Sequence, residues 1–262
     1  MLSMGQIEAI GHDFKVSFSG ISTYLKCGKQ YWFSYVQGIK APPGIAMIEG
    51  SAHHKAVEKN NNHKRQKGKD LKPGILTDVF MEDFRQRTGK GGKALDWEGQ
   101  DEDVIFSRAK ELHNQYIKTI APRINPEGVE EDFEIPVKLD SGKEFILRGT
   151  IDLTVPWGVW DYKTLAKAKS QFEVDSSLQL SYYAMAAQKR KVGFIQFLKK
   201  ANPEVGLVSS SRTRQDFQWA IQVAKEVVES VRRGAFPLTD PKNWWCSEKW
   251  CGYWSQCRGK VK

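Results

Sequence analysis

The segment GTIDLTVPWGVWDYKT, residues 149–164, is the most informative part of this 262-residue chain. Proline at 156 and glycine at 158 predict a β-turn. The runs on either side are rich in β-branched and aromatic residues, as paired strands are. If Val155 pairs with Gly158, Asp152 lies opposite Asp161, and Lys163 shares the face of Asp161 because strand side chains alternate.

The two carboxylates are the chemical signal in this hairpin. Like charges directly opposite each other weaken a strand pair, and a divalent cation between Asp152 and Asp161 would remove that repulsion. A slip of one residue in the register would separate them. The hairpin therefore predicts a metal site that depends on this register.

Composition favours one globular, basic enzyme. The chain is 40% hydrophobic and 11% aromatic with a net charge of +9, and its length is near the limit for one core, so we expect a single domain over residues 1–262. The positive charge favours a nucleic-acid partner, with simple solubility as the alternative. No run is long and apolar enough for a membrane span and no signal peptide is visible, so we expect a cytoplasmic protein of a bacterial or phage-infected cell that has no membrane partner.

The pattern of the remaining chain predicts an α/β protein with a central mixed β-sheet flanked by helices. The basic, polar residues 60–72 indicate a mobile loop, within a helical insert at about 60–125, and a Cys-rich tail covers 243–262. The predicted strands are 131–139, 143–154, 159–164, 192–199 and 205–210. The predicted helices cover about 50–60, 75–88, 102–121, 175–190 and 214–233.

Five short motifs follow one another along the chain. They are Ser17-x-Ser19 leading to Tyr24-Leu25 and Cys27; Gly50-Ser51-Ala52-His53-His54; Gly149-Thr150-Ile151-Asp152; Asp161-Tyr162-Lys163-Thr164; and Gln179 with Tyr183. Together they resemble the PD-(D/E)XK nuclease superfamily, in particular the RecB-type exonucleases found in recombination enzymes, CRISPR adaptation nucleases and phages. Each motif alone recurs by chance, whereas five in the right order are specific.

The resemblance implies a restriction-endonuclease-like core and a magnesium- or manganese-dependent deoxyribonuclease. Oxygen ligands suit both metals, and manganese also accepts imidazole. The implied metal ligands are His54, Asp152, Asp161 and the Tyr162 carbonyl. His53 is a rival to His54, and Glu131 and Glu134 are further acidic candidates on the first strand of the sheet.

The same resemblance gives Lys163 the task of holding or helping to deprotonate the attacking water and of stabilising negative charge. Gln179 and Tyr183 lie one helical turn apart and could face the site together. We expect them to position the substrate or the strand of Lys163.

The four cysteines are Cys27, Cys246, Cys251 and Cys257. A cytosolic location argues against disulfides. Several RecB-type nucleases carry one cysteine after the first helix and three near the C-terminus, and bind a 4Fe–4S cluster with them. Here four residues separate the first pair of the tail, whereas two are common, so structural zinc and unliganded thiols remain alternatives. A bound cluster would pin the tail onto the first helix.

We therefore expect a metal-dependent DNA nuclease, and specifically an exonuclease, that acts in recombination, repair or phage DNA metabolism. A recombination or replication protein is a further candidate partner. The alternatives are a non-catalytic nucleic-acid-binding subunit with the nuclease fold and an iron–sulfur sensor. The tryptophans of the tail are expected to pack around the cysteines, with stacking on bases as the alternative.

Overall fold

A computed structural model describes residues 14–91 and 97–258, except for the side chains of residues 90 and 91. The strands are β1 (Lys15–Ser17), β2 (Gly128–Lys138), β3 (Glu144–Val155), β4 (Gly158–Leu165), β5 (Lys191–Leu198) and β6 (Glu204–Ser211). The helices are α1 (Phe18–Lys26), α2 (Gly28–Tyr31), α3 (Ile45–Lys67), α4 (Pro73–Gly91), α5 (Glu102–Gln115), α6 (Gln171–Asp175), α7 (Leu178–Ala186), α8 (Arg214–Arg232) and α9 (Trp254–Cys257). Short π-helical turns at Trp32–Val36 and Tyr116–Ile120 extend α2 and α5.

The strands form a mixed, six-stranded sheet with helices on its flanks. Its order is β1-β3-β4-β5-β6, and β2 pairs with β3. β1 runs parallel to β3 and β4 runs parallel to β5, whereas β3 with β4 and β5 with β6 are antiparallel. The predicted class, an α/β fold with a central mixed sheet, is confirmed.

The β3–β4 hairpin has the predicted register. Its pairs are Leu153–Trp160, Thr154–Val159 and Val155–Gly158. A side chain at Gly158 would bring its Cβ within 2.6 Å of the Lys191 carbonyl oxygen, so the close approach of β5 requires glycine there. This register fixes which faces of β3 and β4 the polar residues occupy.

The chain divides into two compact units, each with its own buried residues. Within the described chain, unit 1 contains residues 14–42, 133–149 and 215–258, and unit 2 contains residues 43–91, 97–132 and 150–214. The core of unit 2 includes Phe80, Phe106, Tyr116 and Phe197, which come from α4, α5, the turn after α5, and β5. Strands β2 and β3 contribute residues to both units.

The predicted loop at residues 60–72 is wrong, because α3 continues to Lys67. Its polar residues satisfy buried groups: the Asn60 side chain donates to Asp70 and accepts from the Leu71 N–H. The Lys64 ammonium donates to Asp70 and to the Ala121 carbonyl. Low hydrophobicity here reflects internal hydrogen bonds, which composition cannot distinguish from solvation.

In unit 1, α1 begins after Ser17, whose side chain accepts a hydrogen bond from the Gly20 N–H and caps the helix. The Tyr24 hydroxyl donates to the Ala235 carbonyl, which lies beyond the end of α8. Cys27 follows α1 directly and is buried. No helix in the described ranges is long and apolar enough to cross a membrane.

Candidate active site

His54 lies on α3, which packs against β4. Its Nε2 is 2.7 Å from the Tyr162 carbonyl oxygen. Because a carbonyl only accepts, this nitrogen carries a proton, and Nδ1 is left 3.4 Å from Asp152 Oδ2. Without a proton on Nδ1, its lone pair faces a carboxylate, an arrangement that a cation would stabilise.

Asp152 and Asp161 are both buried, with 7% and 1% of their surface exposed. Asp152 Oδ2 accepts the Tyr162 N–H at 2.8 Å. Burial raises the pKa of Asp152 well above its usual range, and the charges of Asp161 and Glu130 raise it further. Buried, neighbouring carboxylates of this kind retain a proton or bind a cation.

Lys163 and Asp161 share one face of β4. The Lys163 ammonium lies 2.7 Å from Asp161 Oδ2. The side chain of Tyr162 is buried, and its hydroxyl bonds to Asn61 and Tyr116. Alternation along β4 thus places the amine and the carboxylate in one polar group and the aromatic ring in the core of unit 2.

Gln179 connects α7 to this group. Its Nε2 donates to Asp161 Oδ1 at 2.7 Å and to the Tyr183 hydroxyl at 3.0 Å. Burial raises the pKa of Tyr183, and the negative charges of Asp161 and Asp152 add to the effect. The two residues predicted to act together therefore form one chain of contacts that ends on Asp161.

Glu130 is a site residue that the sequence reasoning missed. One ligand atom each from His54, Glu130 and Asp152 lie within 4.8 Å of one another. Glu130 has a φ of +51°, a left-handed conformation that is strained for a residue with a side chain. Strict alternation along β2 does not hold at such a residue, and the only signal in the sequence was the acidic run at 130–132.

Two neighbouring candidates, Glu134 and His53, have other partners. Glu134 pairs with Lys15 at 2.6 Å. His53 is buried, with its Nδ1 3.2 Å from His113 Nε2 and its ring stacked on Phe197. Of the two adjacent histidines, His54 is the one that faces the carboxylates.

An open pocket adjoins this group. It is lined on one side by α3, which contributes Gly50 and His54 among others, and it also contacts Arg87 and Glu130. The pocket opens His54 and Glu130 to solvent, whereas Asp152, Asp161 and Lys163 are not among the residues that line it.

The four cysteines come together in unit 1. All of them line one cavity beside Gln30, whose Nε2 donates to Cys251 Sγ at 3.2 Å. Burial raises the pKa of the Cys257 thiol, and the other three cysteines raise it further.

A model of the PD-(D/E)XK nuclease superfamily matches residues 15–258. The chain belongs to this superfamily. Its members generally use divalent metals, and the donor set at the hairpin, which consists of carboxylates, one imidazole and a backbone carbonyl, fits such an ion.

One solved structure supports this fold, and a second is reported for comparison. A protein from Eubacterium rectale, described as a presumptive exonuclease, superimposes with a TM-score of 0.57 at 13% identity, and the match covers 94% of this chain and 92% of that one. SSO0001 gives a TM-score of 0.46 at 10% identity, with 99% and 95% covered. No curated protein matches the chain. The superfamily makes this protein a nuclease, a hydrolase that acts on nucleic acid.

Glu130→Gln should stabilise the metal-free protein at pH 8. Burial and the charge of Glu58 raise the pKa of Glu130 to about 7, from a usual value of 4.5. The folded state therefore holds a proton that the unfolded chain releases between these values, and stability falls as pH rises through that window. We expect a gain of about 1 kcal/mol after solvent screening is allowed for. Thermal unfolding should show this gain at pH 8 and its loss at pH 4.5.

The gain in thermal stability on adding manganese tests separately whether Glu130 binds the ion. If Glu130 binds the ion, the Gln variant should gain less thermal stability from manganese than the wild type does. An equal gain in both proteins would show that Glu130 does not contact the ion.

Proposed function

We propose that the protein is a metal-dependent deoxyribonuclease, and specifically an exonuclease. One observation carries the proposal: Asp152, Asp161, Lys163 and His54 converge at the β3–β4 hairpin, beside an open pocket. Phosphodiester hydrolysis needs charge neutralisation at the phosphate and a positioned water, and this group of side chains can supply both.

His54, Asp152, Asp161 and the Tyr162 carbonyl would hold magnesium or manganese, with Glu130 as an additional acidic ligand. When bound, the ion supplies Lewis acidity that polarises the phosphoryl group and acidifies water. The Nδ1 atom of His54 and the Asp152 carboxylate already face the same point.

Lys163 would orient the attacking water and donate hydrogen bonds to the negative charge that develops on the phosphate. Its 2.7 Å contact with Asp161 keeps the ammonium beside the carboxylates. Gln179 would fix the rotamer of Asp161 and, through Tyr183, tie it to α7. Gln179 and Tyr183 would thus be positioning residues, and the loss of either should lower activity roughly 10–100-fold.

End-labelled and closed circular DNA test this proposal together. With magnesium or manganese, an exonuclease shortens linear single- or double-stranded DNA from its ends and leaves closed circles intact. Nicked or linearised circles would overturn the exonuclease assignment but not the nuclease. No cleavage of any substrate with either metal would overturn both.

For the cysteines we propose a 4Fe–4S cluster, with structural zinc as the alternative. Zinc bound to four thiolates at about 2.3 Å brings their sulfurs within about 4 Å of one another. A cubane cluster would hold its thiolates further apart, because each binds a different iron. All four cysteines line one cavity, and the four-cysteine layout that the chain shares with RecB-type nucleases supports the cluster.

We also propose that the whole chain, residues 1–262, forms one nuclease domain with a helical insert at about 60–125 and a Cys-rich tail at 243–262. It would act in the cytoplasm on DNA during recombination, repair or phage DNA metabolism. A recombination or replication protein is the partner class that this role implies.

Gly50→Ala should stabilise the fold and impair cleavage. Thr164 Cβ, at 3.9 Å, is the nearest neighbour of a Cβ built at Gly50, so packing does not require glycine there. Alanine favours the helix by about 1 kcal/mol, but its methyl would enter the pocket beside His54. We expect a higher melting temperature and a fall of about tenfold in kcat/KM, equivalent to about 1.4 kcal/mol.

Gly89→Ala is the matched control for this variant. It also replaces a helical glycine, and its added Cβ has no neighbour within 4 Å. Stability should rise and cleavage should not change. Equal activity of both variants and the wild type would contradict the role of Gly50 in substrate access.

A further inference from the structure

The cysteine-rich tail exposes tryptophan where packing around the cysteines would bury it. Trp244 is 66% exposed and Trp250 is 50% exposed. The Trp244 ring meets Trp250 edge-to-face at 5.5 Å and Trp245 edge-to-face at 5.7 Å. We call these three residues the tryptophan cluster. Clustered indole surface in water is costly and marks an interaction site.

Basic side chains surround the cluster. The Lys249 ammonium lies 5.0 Å from the centre of the Trp250 ring, and the Lys26 ammonium lies 5.9 Å from the centre of the Trp245 ring. Between residues 242 and 258 the chain has three basic residues and one acidic residue, Glu248. The patch therefore combines flat aromatic surface with positive charge.

We propose that the tryptophan cluster binds unpaired nucleotides of a nucleic-acid strand by stacking. Indole faces accept any base, and lysines beside them attract the phosphates, which is how single strands are bound without sequence choice. Bases in a duplex already stack on each other and are not available to the rings. A protein-binding patch would instead be depleted of lysine at its centre.

This inference rests on the proposed function, because it takes nucleic acid to be the substrate. It adds the class of substrate: DNA with a single-stranded end or region. It also gives the tail a role beyond holding the proposed 4Fe–4S cluster, since the tryptophans lie in the segment that carries three of the cysteines.

Binding can be measured apart from cleavage. In the Asp161→Ala background without metal, fluorescence anisotropy should report the affinity for a labelled oligothymidine and for a duplex of the same length. Replacing Trp244 and Trp250 by alanine should weaken single-strand binding at least tenfold, because it removes the rings on which the bases would stack. Duplex affinity should change less than twofold. The salt dependence should stay the same because no charge is removed.

Trp219→Ala is the matched control. Trp219 lies on α8 and is 67% exposed, like Trp244. It should leave single-strand affinity within twofold of the parent protein. Equal loss in the control, unchanged affinity in the double variant, or equal loss for duplex would each overturn the inference.

Photo-crosslinking tests the inference without a variant, and so does not depend on whether the double variant folds. Irradiation of the unmodified protein with a bromodeoxyuridine oligonucleotide should attach it to the peptide that contains Trp244 and Trp250. Crosslinks that map only to other peptides would overturn the inference and leave the nuclease proposal standing. Failure of the unmodified protein to bind any nucleic acid would overturn both.

Discussion

Asp161→Ala should reduce DNA cleavage by at least about 10³-fold, the scale of losing a principal stabiliser of transition-state charge. Asp161 accepts from Gln179 at one oxygen and pairs with Lys163 at the other. Its removal would therefore withdraw a proposed metal ligand and free both partners at once. Initial rates on end-labelled DNA at saturating manganese measure the loss.

Two further variants serve as controls. Asp161→Asn separates the loss of the negative charge from the loss of side-chain volume, and Asp103→Ala measures the effect of removing a carboxylate elsewhere in the protein. The Asn variant keeps the side-chain volume and should be nearly as inactive, because it removes the negative charge that we propose binds the cation. Asp103 is exposed in the first turn of α5, and its loss should leave the rate within twofold. An Asp161→Ala variant that is folded and as active as the Asp103 variant would remove the basis of the proposed mechanism.

Cys27→Ser should release the tail. Cys27 is the cysteine that joins the end of α1 to the three cysteines of residues 246–257 around one cavity. If they hold a cluster, its loss should lower the free energy of unfolding by about 3 kcal/mol, a value typical of losing one cross-link. The melting temperature should fall by roughly 6–12 °C. Iron and sulfide content, visible absorbance and proteolysis of residues 243–258 should change together.

Ser255→Ala is the control within the same segment. Ser255 is exposed and bonds to Gln256 rather than to a cysteine. It should keep the iron content and the melting temperature of the wild type. If wild-type protein prepared without oxygen contains zinc and no iron, the cysteines bind structural zinc and not a 4Fe–4S cluster. Protein with neither metal, and with an unchanged melting temperature in Cys27→Ser, would contradict a metal-bound tail.

The hairpin could be predicted because its signals are local. Turn residues at 156 and 158 and strict alternation fix the register, and with it the face of Asp161 and Lys163. Gln179 and Tyr183 were predicted to act together from their one-turn spacing on a helix. The contact of Gln179 with Asp161, however, depends on how α7 packs against β4, which spacing does not specify.

The features that the sequence analysis predicted wrongly or missed depend on contacts between residues distant in sequence or on an irregular backbone. Asn60 and Lys64 appeared to be solvated loop residues because their partners, such as Asp70 and Ala121, are brought to them by folding. Glu130 was missed because the predicted strand began at residue 131, whereas β2 begins at Gly128 and Glu130 has a positive φ. Trp244 and Trp250 were expected to pack, but exposure depends on the path of the whole tail.

Anomalous diffraction from crystals soaked in manganese would locate the ion in the folded protein. We expect a strong peak within about 2.2 Å of a carboxylate oxygen of both Asp152 and Asp161, with His54 beside it. Loss of this peak in the Asp161→Ala variant should accompany the loss of cleavage. Crystals of active protein in which manganese binds away from both aspartates, or does not bind at saturating concentration, would contradict it.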